Sequence, residues 1–155
     1  MLKKYKSGDV LSISVTDEKN AMAQIIEKLR GNILMAVFSE LLDADDVGDV
    51  ELLELDDPIF LVETMDLRIK DGTWPILGNR KASERIPIPE YKVWVEPPGE
   101  YRIQDIHGNV GGSISPEQAS GMRLQKSFSP AAVEAALRGF HGLGPWRQAF
   151  DELVV

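Results

Sequence analysis

The sequence predicts an α+β fold: a curved antiparallel β-sheet or partly open barrel with two C-terminal amphipathic helices packed on it. Three observations carry that expectation. Short apolar runs between residues 10 and 38 have strand length and are separated by turn residues. Two runs after Ser129 keep helical spacing. The 155 residues are 43% hydrophobic and 27% charged, a globular composition at a length that suits one domain. One domain over 1–155 is therefore expected, sheet-rich over 1–114 and helical over 115–155. A domain of this size buries about 68–70% of its unfolded surface and needs no disulfide or metal staple.

The elements follow in order. Ile13 and Val15 alternate with Ser12 and Ser14, the pattern of a half-buried strand over residues 10–15. Residues 21–29 repeat it less regularly. Gly31-Asn32 then turns the chain into Ile33-Leu34-Met35-Ala36-Val37-Phe38, apolar on both faces as a central strand is. In the acidic stretch 43–57, Val47, Val50 and Leu53 recur at helical spacing with Leu52 and Leu55 nearby. A short helix is compatible with that spacing despite Gly48, and Pro58 stops it. Residues 59–65 read as a strand, and Asp71-Gly72 as a turn into Thr73-Trp74-Pro75-Ile76-Leu77-Gly78, where Pro75 suits an edge or a strand start.

Residues 80–89 are charged and proline-bearing, as a linker or surface loop is. Residues 91–95 and 101–106 flank Pro97-Pro98-Gly99 as a second hairpin, and 107–112 is a glycine-rich turn. Ser115 caps and Pro116 starts a short helix that Gly121 ends. Near the C-terminus Ser129 caps and Pro130 starts a helix whose stripe is Val133, Ala136, Leu137 and Phe140, with Gly139 as its stop. Gly144-Pro145 opens the second, with the stripe Trp146, Ala149, Phe150 and Leu153.

Charge is confined. Residues 31–67 hold eleven of the 25 acids and none of the 17 bases, so this one segment supplies the whole net charge of −8. Such a surface repels nucleic acid and membrane phosphates and attracts a basic partner; a solvated loop that aids solubility is the alternative. Asp43, Asp45, Asp46, Asp49, Glu51, Glu54, Asp56 and Asp57 are the candidate partner-binding residues. Trp74 joins them as the aromatic best placed for exposure, with packing as its other reading, whereas Trp94 and Trp146 sit where core residues would.

The elements of catalysis are not legible. There is no cysteine, and His107 and His141 lack a partner at ligand spacing. His107-Gly108-Asn109-Val110-Gly111-Gly112 has neither P-loop nor dinucleotide-turn spacing. A calcium loop begun at Asp43 would place Val47 at a ligand position. No catalytic residue, metal site or cofactor is expected. The cysteine-free composition fits a reducing compartment. The basic start over residues 1–6 meets no apolar core, and no run of eighteen apolar residues exists, so the cytoplasm is the expected location.

Tyr5-Lys6-Ser7-Gly8-Asp9-Val10-Leu11-Ser12-Ile13, the strand around residues 21–26, Val37-Phe38 and Thr73-Trp74-Pro75-Ile76-Leu77-Gly78-Asn79 resemble the immunity protein 26 family of bacterial polymorphic toxin systems. The resemblance covers roughly residues 5–89. It implies a cytoplasmic, non-catalytic protein that binds a cognate toxin domain and blocks it, and it supplies no catalytic residues. Many antibacterial toxins act on nucleic acid and are basic where it binds, so a basic nuclease is the partner class the acids suit. Two other readings compete: an SH3-like adaptor unrelated to toxins, and a small sugar- or nucleotide-directed enzyme with an unrecognised carboxylate site.

One expectation is testable at once. Because a ligand that binds the native state must stabilise it, calcium or chelator should leave the melting temperature unchanged; a shift of several degrees in a thermal scan would establish a metal site.

Overall fold

The computed structural model describes residues 2–155. The fold is α+β, and the chain forms two compact units, residues 2–86 with 127–155 and the intervening Pro87–Lys126. Residues 127–155 complete the core begun by the first 86.

The first unit is built on six strands: β1 (Asp9–Ser14), β2 (Lys19–Lys28), β3 (Asn32–Asp43), β4 (Phe60–Met65), β5 (Ile76–Asn79) and β9 (Ser127–Phe128). Their order in the sheet is β5-β1-β2-β3-β4-β9. The sheet is not purely antiparallel as expected: β9 runs parallel to β4, pairing Glu63 with Ser127 and Thr64 with Phe128, which makes it mixed. It does not close, since β5 and β9 are its edges.

One face packs against Val133, Ala136 and Leu137 of helix α3 (Pro130–Phe140), against Phe150 and Leu153, and against Ile69 of the one-turn helix α1 (Leu67–Lys70). Here lie Leu11, Ile13, Ala23, Met35, Val37 and Phe60, all fully buried. Trp74 is in this core too, with no exposed surface. The other face carries Val10, Met22, Ala36 and Phe38. It is covered by Val50, Leu55 and Ile86, with Val47 and Leu53 partly buried beside them. Residues 10–15 are therefore not half-buried. Ser12 is as enclosed as its neighbours, and its hydroxyl accepts a 2.6 Å hydrogen bond from Asn20.

The two C-terminal stripes fold differently. α3 forms as its pattern predicts, with the Ser129 hydroxyl accepting from the Ala132 N–H at 3.1 Å. The second stripe is a six-residue 3₁₀ segment, Gln148–Leu153, rather than an α-helix, yet it buries Phe150 and Leu153 as the spacing requires. Gly139 is not the stop. The helix runs to Phe140, and Gly142 takes the left-handed φ of +73° that turns the chain. Gly139 instead admits a close approach, since a Cβ there would stand 2.9 Å from the Pro145 carbonyl oxygen.

The second unit is a three-stranded sheet, β6 (Tyr91–Val95), β7 (Glu100–Gln104) and β8 (Val110–Ser113), followed by helix α2 (Pro116–Ser120). Ser115 and Gln118 close a capping box at its start. Asp105 orders the glycine-rich turn. Its carboxylate accepts from the Asn109 side chain and from the N–H groups of Asn109 and His107, which together hold it below the usual carboxylate range. Trp94 is half exposed, 4.9 Å from Tyr101 edge-on, and Trp146 is also partly exposed. The expected exposures of the three tryptophans are thus reversed: the one assigned to the surface is in the core, and the two assigned to the core reach solvent.

Two substitutions test this packing. Phe150→Ala removes a buried aromatic ring and is expected to cost about 3–5 kcal/mol in denaturant unfolding; a change of a few tenths would show that the 3₁₀ segment is not docked. Arg80 donates from one guanidinium nitrogen to the carbonyls of Val50 (3.0 Å) and Leu53 (2.8 Å). Arg80→Met should cost about 1.5–3 kcal/mol, the range for hydrogen bonds to a charged group, and should speed amide exchange in residues 47–55 above all.

Candidate partner-binding surface

The acidic segment is neither a free loop nor the short α-helix its spacing allowed. It is a strap laid across the second face of the sheet. Val47, Val50 and Leu53 recur every three residues, the period of a 3₁₀ turn, and the segment forms one, Val50–Leu52. The Asp49 carboxylate caps it by accepting from the Glu51 N–H at 2.9 Å.

Residues quoted for the family resemblance hold the strap down. A Cβ on Gly78 would lie 2.8 Å from a Val50 methyl, so the missing side chain at Gly78 is the seat of Val50. Gly8, at φ +90°, is tied to this region through its carbonyl: it accepts from the Arg80 N–H at 3.0 Å, and the buried Gln24 amide donates to the carbonyls of both Gly8 and Arg80. A Cβ on Gly8 would meet the Arg80 carbonyl oxygen at 2.6 Å. Asp9 and Asn79 bond each other at 2.9 Å across the β1–β5 pair. Arg80, fixed by these contacts, reaches the strap as described.

Val47, Val50, Leu53 and Leu55 of the strap face inward, whereas Leu52 and most of its charges face outward. Leu55 is core, Leu53 is half-buried, and Leu52 is 82% exposed, at the outer side of the 3₁₀ turn between Glu51 and Glu54. Of the candidate acids, Glu54, Asp56 and Asp57 come together with Phe38, Ser39, Glu40 and Arg85 around a cavity of about 360 Å³. Arg85 pairs with Asp57 at 2.8 Å. Asp43, Asp45 and Asp46 do not line that cavity; they lie at the end of β3 and just beyond it, where Asp43 pairs with Lys19. Trp74 does not belong to the surface; its ring is enclosed by the opposite face of the sheet. Glu40 is a lining residue that spacing did not single out. Only its place in the lysine-free stretch hinted at it.

Chemically the groove suits an extended cation. Its lining combines Phe38, which can receive an aliphatic stem, with four carboxylates, which can receive a charged head. Among the described residues, no three histidine, cysteine or acidic side chains stand as a metal cluster. His107 lies in the Asp105 turn, and His141 packs edge-on to Phe140 at 5.1 Å, where burial pushes its pKa below the ordinary value. No helix among the described residues is long and apolar enough to cross a membrane.

Comparison with known proteins adds the remaining finding. No curated protein and no solved structure matches the chain. A family model, Immunity protein 26, matches residues 6–96, which takes in β1 to β6, the strap and the residues that fasten it. More than half of the chain fits that model, and the chain belongs to the immunity protein 26 family.

Proposed function

We propose that this protein binds a cognate bacterial toxin domain in the cytoplasm and neutralises it by occupying its surface, with no chemistry of its own. The observation that carries this reading, beside the family, is the strap. A stretch, residues 43–57, holding eight acids and no base is fixed to the core by Val50, Leu55 and Arg80, and it presents Leu52 to solvent amid carboxylates. A fixed acidic face with an apolar residue at its crest complements the basic substrate site of a toxin that acts on nucleic acid. Carboxylates in such a face take the place of phosphates, and their field steers encounter. Because the strap is already ordered, little chain entropy is lost when it docks.

The test begins by seeking a toxin domain among the genes that flank this one and uses the domain found there. Co-expression of the two should protect cells that the toxin alone kills. Asp45, Asp46, Glu51 and Glu54 are the informative positions, because Asp43 is paired and Asp49 caps the 3₁₀ turn. Replacing these four with Asn or Gln should leave the melting temperature close to wild type. Association should fall from the steered range of ~10⁸ M⁻¹s⁻¹ at low salt toward the ~10⁵–10⁶ M⁻¹s⁻¹ of uncharged pairs, and its salt dependence should flatten. Identical association rates and salt slopes for both proteins would remove the strap from the interface.

A further inference from the structure

Strand β3 outruns its neighbour. It continues to Asp43, but β4 begins at Phe60 and pairs with β3 only as far as Val37, whose carbonyl accepts from the Ile59 N–H at 2.8 Å. Beyond Val37, β3 has a strand on one side alone, β2, which it meets again at Leu41 to Asp43. Backbone groups alternate along a strand, one residue toward each neighbour. Val37 faces β4. At the far end the Ala44 N–H donates to the Glu18 carbonyl at 3.0 Å, so residue 44 faces β2 and residue 43 faces away; the Asp43 carbonyl turns instead to the Asp46 N–H. The alternation agrees at both ends, and Ser39 and Leu41 therefore direct N–H and C=O away from β2. Among the described residues, no backbone group meets them there.

The acidic groove opens on this edge. Ser39 lines it, as does Asp57, which stands two residues before Ile59, so the groove occupies the place where β4 would have continued. Phe38 packs into the core of the strap face, and Glu40, two residues on, projects to the same face. Unpaired main-chain groups on a strand edge suit one kind of occupant, another extended chain. Charge selects which chain. Glu40, Glu54, Asp56 and Asp57 line the groove against Arg85 alone, and Glu40 stands on the edge itself between Ser39 and Leu41. A second copy laid edge to edge would set its own acids against these, a repulsive pairing. A strand with lysine or arginine at alternate positions is complementary, because side chains of period two can enter the groove while the main chain pairs with Ser39 and Leu41.

We infer that the toxin adds a short extended segment to the free edge of β3 at Ser39–Leu41, continuing the sheet where β4 leaves it and placing its basic side chains in the groove. This rests on the neutralisation reading above and gives it a mode of contact. The main-chain bonds fix register and govern dissociation, whereas the exposed charges of the strap govern encounter.

The experiment uses the full chain and the toxin domain found among the flanking genes, inactivated in its own active site. Amide exchange followed by NMR reads the edge in the wild-type chain. The Ser39 and Leu41 amides should exchange fast in the free protein and roughly tenfold or more slower in the complex. Ser39→Pro and Ser39→Ala then separate main chain from side chain. Proline removes the outward N–H and sets its ring where the added strand would lie. Its dissociation should be faster by roughly tenfold or more, with association near wild type. Alanine keeps the N–H, and its dissociation should match wild type. If the proline variant does not fold, the wild-type amide exchange decides alone. Unchanged exchange at both amides in a complex that forms, or equal dissociation of the folded proline and alanine variants, overturns strand addition and leaves neutralisation standing. A wild-type dimer that Ser39→Pro disperses in sedimentation also overturns it, by giving the edge to a second copy. No binding by the wild-type chain sinks neutralisation and strand addition together.

Discussion

Strand β3 is apolar on both faces from Ile33 to Phe38, so water has to be kept from both sides of the sheet. One side is covered in the usual way, by an amphipathic helix and a 3₁₀ segment. The other is left to residues 47–55, a stretch whose charge would otherwise favour full solvation. Apolar burial alone, at about 25 cal/mol per Å², acts without direction and would not fix the register of so polar a segment. Direction comes from Arg80, whose guanidinium bonds two carbonyls of the strap, and from Gly78, whose bare Cα admits Val50.

A division of labour follows. Gly8, Asp9, Trp74, Gly78 and Asn79, residues that carry the family likeness, turn inward or bond to backbone. They build the frame that orders the strap. Asp49 caps the 3₁₀ turn and Asp43 and Asp57 pair with bases, but Asp45, Asp46 and Glu51 are exposed on the strap and could vary without disturbing the frame. Such an arrangement suits a protein whose scaffold stays while its partner differs.

The sequence made the frame legible where one rule governs. Period-two runs and a tight turn gave β1, β2, β4 and the start of β3 close to their observed bounds, though not the extension of β3 to Asp43, and Ser-Pro pairs at 115–116 and 129–130 marked both helix starts. It was less legible where two rules compete. Ser12 and Ser14 alternate as a solvated edge would, yet Ser12 is enclosed, with its hydroxyl bonded to Asn20 and its N–H to the Pro75 carbonyl, contacts nothing local announces. Trp74 beside Pro75 reads as an exposed turn aromatic; the one-turn helix before it folds the ring inward. The parallel pairing of β9 with β4 joins residues far apart in the chain and leaves no periodic trace in two residues. On the candidate surface, the lysine-free stretch was visible as composition. Which acids share a groove was not, because that depends on the end of β3 and on Arg85.

The insertion of Pro87–Lys126 between β5 and β9 has a consequence for biosynthesis. Strand β4 is translated early, yet one flank and the cover of its core face come from residues made only after the inserted unit. Until then Phe60 and Val62 have no lid, and the nascent first unit exposes a sticky sheet. The inserted unit has only local strand pairings and one capped helix, so it can form while the first waits. Vectorial synthesis therefore favours the middle of the chain maturing first and the first unit closing last.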